Sequence, residues 1–273
     1  MPRLAGLLGL ALLVALPARA AREVSDFTLD NGLRLIVIED HRAPAATHMV
    51  WYRVGAADEP PGKSGIAHYL EHLMFKGTDE NPAGSIDRAV RAVGGSNNAF
   101  TSPDATAYFE EVPADALGRM MALEADRMAN IGFGDDVART ELNVVREERS
   151  QRVENDPGAI FGEEFRAALH RNHPYGDPII GWPDELMSLT PDDARRFHER
   201  HYAPDNAVVV VAGDVTPEDV LALARTHYGP LSPAGGRERA RPQEPAHRAA
   251  MRVTYTDERV GQPYVMRGYS APE

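Results

Sequence analysis

Gly65-Ile66-Ala67-His68-Tyr69-Leu70-Glu71-His72-Leu73-Met74-Phe75-Lys76-Gly77-Thr78 reads as a short helix with its reactive groups on one side. In a helix, His68 and His72 are an i, i+4 pair and project from one face. Two neutral imidazoles at that spacing can hold one Zn²⁺, a metal that favours nitrogen ligands of this kind. Glu71 precedes the second histidine and lies close enough to polarise a water at the metal without ligating the ion. The order H-x-x-E-H inverts the more familiar H-E-x-x-H. Metal and carboxylate together suit amide hydrolysis, since zinc makes hydroxide accessible near neutral pH and the carboxylate handles protons. The bland alternative is a surface helix with two solvated histidines, in a chain that has ten.

Working outward, the amino terminus reads as a secretory signal over residues 1–20. Arg3 supplies a positive start, Leu4 to Leu16 an apolar stretch, and Ala18-Arg19-Ala20 a small-x-small cleavage site. The apolar stretch is too short for a membrane span, and no later one is long enough. The expected location is periplasmic or secreted. The chain has no cysteine, which excludes disulfides, thiol catalysis and thiolate metal sites. A net charge of −12 argues against nucleic-acid binding, which wants basic patches.

Phe27 to Ile38 reads as a hairpin turning at Asn31-Gly32, followed by a strand over His48 to Val54. Ser85 is the expected cap of a helix that Gly94-Gly95 stops. Two strand-like runs surround Ser102-Pro103-Asp104, and Leu117, Met121, Leu123 and Met128 mark the apolar positions of the next helix. Thr190-Pro191 and Thr216-Pro217 are cap-plus-proline helix starts. The unbroken run Ala207 to Ala212 predicts a central strand buried on both faces. Irregular alternation of strands and helices predicts an α+β fold, a mixed β-sheet with helices packed on it.

The stretch from Gly229 to His247 is rich in proline, glycine and arginine. It places a linker at residues 231–251, after a zinc-binding domain at 21–230. Beyond it, Arg252 to Glu258 faintly echoes Arg34 to Asp40, and a second strand is expected over Tyr264 to Tyr269. Residues 252–273 therefore read as the beginning of a second homologous domain, incomplete because so few residues cannot bury a core.

A hydrolytic zinc site needs a third protein ligand. The helix expected from Asp136 to Val153 carries Glu141 and Glu148 seven residues apart, hence on one face. Heptad-like spacing puts them on a buried stripe with Val137 and Val144. Carboxylates there need a partner or a metal. On a solvated face they are ordinary surface charge.

Several spaced motifs resemble, in order, the pitrilysin/insulinase family, which includes the mitochondrial processing peptidases and bacterial periplasmic relatives. They are Trp51-Tyr52-Arg53-Val54-Gly55, the stretch around His68 to Thr78, Gly94-Gly95-Ser96-Asn97-Asn98-Ala99-Phe100-Thr101, Glu141 to Glu148, and His173-Pro174-Tyr175-Gly176. The resemblance implies that His68, His72 and Glu148 ligate one Zn²⁺ per catalytic domain, with Glu71 as general base and Glu141 beside the metal shell. Asn98 and Ala99 would lie on an edge strand that pairs with the backbone of a peptide substrate. His173 is the more ordinary structural histidine. The implied activity is a zinc-dependent metalloendopeptidase acting on peptides or unfolded segments. In that family a second homologous domain or subunit closes the chamber and supplies an Arg and a Tyr to the reacting carbonyl. The alternative is a non-catalytic partner or binding subunit of a two-chain peptidase.

Overall fold

A computed structural model describes residues 23–236 and 239–269, so the expected signal segment lies outside the described residues. Strand β1 (Val24–Thr28) folds back on β2 (Arg34–Glu39), and β3 (Ala45–Tyr52) follows. The hairpin turns at Asn31-Gly32 because Gly32 adopts φ +88°, which a side chain would disfavour. Then come α1 (Ile66–Leu73), α2 (Ser85–Ala92), β4 (Ser96–Thr101) and β5 (Thr106–Pro113). Helices α3 (Leu117–Ala129), α4 (Asp135–Arg149), α5 (Pro157–Leu169), α6 (Pro183–Ser188) and α7 (Pro191–His201) lead to β6 (Ala207–Gly213) and α8 (Pro217–His227).

The six strands form one mixed sheet in the order β1-β2-β6-β3-β5-β4. The β2–β6 pair is parallel, while the other neighbours run antiparallel. The fold is therefore α+β, a mixed six-stranded sheet with helices. Strand periodicity puts Leu35, Val37, Val50, Tyr52, Tyr108, Val209 and Val211 on the inward face, all buried. Helices α3 and α8 pack on that face, and α1 packs against β4, α4 and α7. Each apolar residue of this core withdraws from water an area worth roughly 25 cal/mol per Å².

Four expectations need correction. Strand β6 is central but not buried on both faces, because Val208 and Val210 remain partly open on the side without helices. Ser85 is the first residue of α2 rather than its cap, a position held by Gly84 at φ 75°. The stripe expected on α4 is rotated: Val137 and Val144 are 45% and 47% exposed, whereas Ala138, Glu141, Val145 and Arg149 face inward. Heptad spacing fixes the interval between residues but not which face turns in, and packing against α1 selects the other valine.

The strands expected after Arg252 do not form among the described residues. A strand needs a ladder partner, and this segment instead lies along α5. Tyr264 sets its ring edge-on to Phe161, 5.7 Å between centroids, and Gly268 abuts Phe165. No helix among the described residues is long and apolar enough to cross a membrane.

Candidate active site

The site is built on the start of α1. Gly65 occupies the cap position at φ 86°, and a Cβ there would come within 2.7 Å of the Ile180 carbonyl and 2.9 Å of Gly181 Cα. Only glycine fits both the conformation and the space. The first free amides of α1 are taken by Glu59, whose carboxylate accepts from Gly65 N at 2.9 Å and Ala67 N at 2.8 Å. Glu185 accepts from Ser64 N at 2.7 Å. Acids at a helix N-terminus satisfy orphan donors and complement the helix dipole. Sequence reasoning missed Glu59 because it stands outside the usual capping interval.

One turn along, His68 and His72 turn toward α4 with ring centroids 4.8 Å apart. Glu148 Oε2 lies 3.6 Å from His68 Nε2 and 3.3 Å from His72 Nε2. Ligating atoms of these three residues all fall within 4.8 Å of one another. Glu148 Oε2 is buried without a hydrogen-bond partner, as is His68 Nδ1. Metal–ligand bonds near 2.0–2.2 Å in tetrahedral array put neighbouring ligand atoms about 3.4 Å apart, so the two nitrogen–oxygen distances suit one zinc ion. Two imidazoles and a carboxylate are also the donor set of hydrolytic zinc. The residues fit the metal.

Glu141 occupies the same face of α4 and is 7% exposed. Its Oε1 accepts from His72 Nδ1 at 2.9 Å, and its Oε2 meets Lys76 Nζ at 2.6 Å. A proton on Nδ1 leaves the Nε2 lone pair facing Glu148, the arrangement a metal-ligating histidine needs. Burial alone would raise the Glu141 carboxyl, but His72 and Lys76 outweigh it and hold it below its ordinary range. Burial likewise opposes charge on His72, yet the Glu141 bond and the Glu148 and Glu71 carboxylates raise its pKa. Burial pushes His68 down to about 3, which keeps its imidazole neutral and able to donate a lone pair. Glu147, by contrast, is exposed and bonds Gln151 Nε2 at 3.1 Å, away from the histidines.

Glu71 sits between this cluster and β4. Its Oε2 accepts from Thr101 Oγ1 at 2.6 Å. Burial raises its pKa, with the Thr101 bond and His72 pulling the other way. Thr101 went unread in the sequence, although period-2 alternation puts it on the same face as Ala99. Strand β4 is an edge of the sheet. Asn98 is exposed there, and its Oδ1 accepts from Ala99 N at 2.9 Å. His173 stands apart from the cluster and caps a short turn, its Nδ1 accepting from Tyr175 N.

Residues 34–182 match the family described as Insulinase (Peptidase family M16), and 188–273 match its Peptidase M16 inactive domain. The chain belongs to the insulinase family, M16. Among M16 relatives, zinc protease PqqE of Helicobacter pylori is 34% identical over 248 residues, covering 90% of this chain and 56% of the relative. A solved protease structure from Helicobacter pylori superposes with TM-score 0.76 at 35% identity, over 82% of this chain and 54% of that one. The first half of the periplasmic protease PqqL from Escherichia coli superposes with TM-score 0.72 at 27% identity, over 80% and 48%. The chain thus spans about half the length of the curated relatives it matches. The two M16 matches meet between 182 and 188, yet the sheet does not divide there, since β6 pairs with both β2 and β3.

Proposed function

We propose that this M16 chain is the metal-binding half of a zinc-dependent metalloendopeptidase acting on peptides or unfolded segments of exported proteins. The observation that carries the reading is the convergence of His68, His72 and Glu148 within 4.8 Å, with Glu71 held beside them by an edge strand. When bound, the zinc ion supplies Lewis acidity that polarises the scissile carbonyl and acidifies a water. His68, His72 and Glu148 hold it, and Glu141 fixes the His72 tautomer. Glu71 Oε2 is engaged by Thr101, which leaves Oε1 to take a proton from the attacking water and return it to the departing amine. Burial raises the Glu71 carboxyl above its ordinary range, which favours its taking up that proton. A substrate strand adds to β4, with Asn98 and Ala99 meeting its backbone. That mode selects extended chain over folded protein.

A second homologous half, in the same polypeptide or a partner, completes the chamber; the match of 188–273 to the inactive domain supports this. Periplasmic or secreted placement rests on the signal-like Met1 to Ala20 and on the likeness to periplasmic PqqL. The test is cleavage of a quenched, unstructured peptide by the zinc-loaded protein, together with its second half where that is a separate chain. Activity should be lost to a chelator and restored by zinc. Glu71→Gln should lower kcat by about 10²–10⁴-fold while zinc stays bound. Zinc binding without cleavage would favour the binding-subunit reading, and wild-type turnover by Glu71→Gln would remove Glu71 from its role.

A further inference from the structure

The segment that follows α8 is fastened to the turn that ends β4. Arg239 Nη2 donates to Asp58 Oδ2 at 3.0 Å and to the Asp104 carbonyl at 2.6 Å. Arg241 Nη2 donates to Asp104 Oδ1 at 2.8 Å, and its Nη1 meets Asp58 Oδ1 at 2.8 Å and the Ala57 carbonyl. Two guanidinium groups thus bridge two aspartates that would otherwise repel. The planar fork of arginine suits such multiple contacts. Tyr175 donates its hydroxyl to Asp104 from a third side.

Asp104 lies in the tight turn between β4 and β5, where Ser102 N donates to the Ala105 carbonyl at 2.8 Å. Asp58 ends the short turn Ala56–Asp58 and accepts from Gly55 N at 2.9 Å. The two turns are laced together, Ala56 N to the Ser102 carbonyl at 3.0 Å and Ala57 N to the Pro103 carbonyl at 2.8 Å. They also meet without slack, because a Cβ on Gly55 would fall 2.2 Å from the Ser102 carbonyl oxygen. Thr101, the residue that holds Glu71, immediately precedes Ser102. Bonded contacts therefore run without a gap from the linker arginines to Glu71.

We infer that Arg239 and Arg241 are positioning residues: by clamping Asp58 and Asp104 they set where β4 ends and hence where Thr101 holds Glu71. The strap that leads onward from the metal-binding domain is then mechanically tied to the proton-handling carboxylate. A change in how the later part of the chain pulls on this strap is transmitted to the site. The catalytic consequence rests on the peptidase reading above, whereas the clamp itself does not.

Two readouts keep them separate. Amide hydrogen exchange is followed on the 273-residue chain over residues 53–60 and 98–107, in wild type, in Arg239→Ala/Arg241→Ala, and in Arg259→Ala. Arg259 pairs with Asp257 and the Glu154 carbonyl rather than with Asp58 or Asp104, and serves as control. The double variant should exchange about tenfold faster in both windows, with the β1–β2 hairpin unchanged and the control like wild type. Steady-state cleavage by the zinc-loaded enzyme should show kcat down about tenfold with KM within twofold and zinc content intact. Faster exchange confined to the linker, or spread evenly over the whole chain, overturns the clamp, as does equal loss in Arg259→Ala. If wild type cleaves nothing, exchange alone decides the clamp and only the peptidase reading falls.

Discussion

His48, Glu110, Glu124 and Arg127 form a polar cluster inside the core, while His68, His72, Glu141 and Glu148 form another between α1 and α4. The residue types are almost the same, and the chemistry is not. In the core, both nitrogens of His48 are used, Nδ1 against Glu110 Oε2 at 3.0 Å and Nε2 against the Tyr228 hydroxyl at 3.1 Å. Arg127 approaches both carboxylates, at 2.5 Å from Glu124 Oε1 and 3.8 Å from Glu110 Oε1, and stacks over Tyr108. At α1 and α4 the cations stay at the margins, Lys76 on Glu141 and Arg152 on Glu148. There Glu148 Oε2 is buried with no hydrogen-bond partner and faces the Nε2 atoms of both histidines. A cluster of histidines and acids is suited to a metal when its lone pairs converge on one point. When a guanidinium neutralises it, it is a structural element.

The largest expected effect breaks the core cluster. Arg127→Met removes the charge that compensates Glu110 and Glu124, both essentially buried. Above about pH 8, where Glu124 is ionised, leaving the buried acids without their guanidinium should cost about 3–5 kcal/mol of stability. Chemical denaturation measures it, and pairing the change with Glu124→Gln should recover part of the loss. A loss below about 1 kcal/mol would mean that water reaches the cluster and that the contrast is overdrawn.

The next effect tests the converging set. Glu148→Gln replaces the carboxylate proposed to hold zinc with a neutral amide and should weaken zinc by more than about a hundredfold, beyond what outer-shell changes do. Glu147→Gln points away and should change it little. Zinc titration of both decides, and equal losses would undo the assignment. Glu141→Gln comes third, at about 10–100-fold, because it loosens the His72 tautomer without removing a ligand. An unchanged affinity there would mean that the His72 tautomer does not depend on Glu141.

The two clusters were unequally legible in the sequence. The i, i+4 histidines and the seven-residue step from Glu141 to Glu148 are local periodicities, and a helix must place such residues on common faces. The phase of α4 is not legible, since it depends on which side α1 offers, and the fold turns Val137 and Val144 outward. The core cluster gave no signal, because burying Glu124 and Arg127 on α3 is costly until Glu110 and His48 arrive from two strands. The hold of Thr101 on Glu71 and of Arg241 on Asp104 joins residues 30 and 137 positions apart. No spacing rule reaches that far. The hairpin at Asn31-Gly32 and the capped starts at Thr190 and Thr216 were legible because turn and cap chemistry is contained within a few residues.

The smallest effect is a pH slope that belongs to the core cluster alone. Burial raises the Glu124 carboxyl to about 8 from an ordinary 4.5, against the pull of Arg127 and with the Glu110 charge adding to the rise. Between those values the folded protein keeps a proton that the unfolded chain releases. The stabilisation is present in full below about 4.5 and is lost as pH rises through about 8. The slope is at most about 1.4 kcal/mol per pH unit. His48 has the opposite sign, since burial lowers it to about 4 from 6.5, so its contribution grows as pH rises across that lower window. Above 6.5 His48 is neutral in both states and no longer masks Glu124. Stability of wild type should therefore fall between pH 6.5 and 8 more steeply than that of Glu124→Gln, in the zinc-free and the zinc-loaded protein alike. Denaturation midpoints at four pH values suffice to compare the slopes. Parallel slopes would mean that Arg127 keeps Glu124 ionised throughout, and the core cluster would then carry its charges in full rather than share a proton.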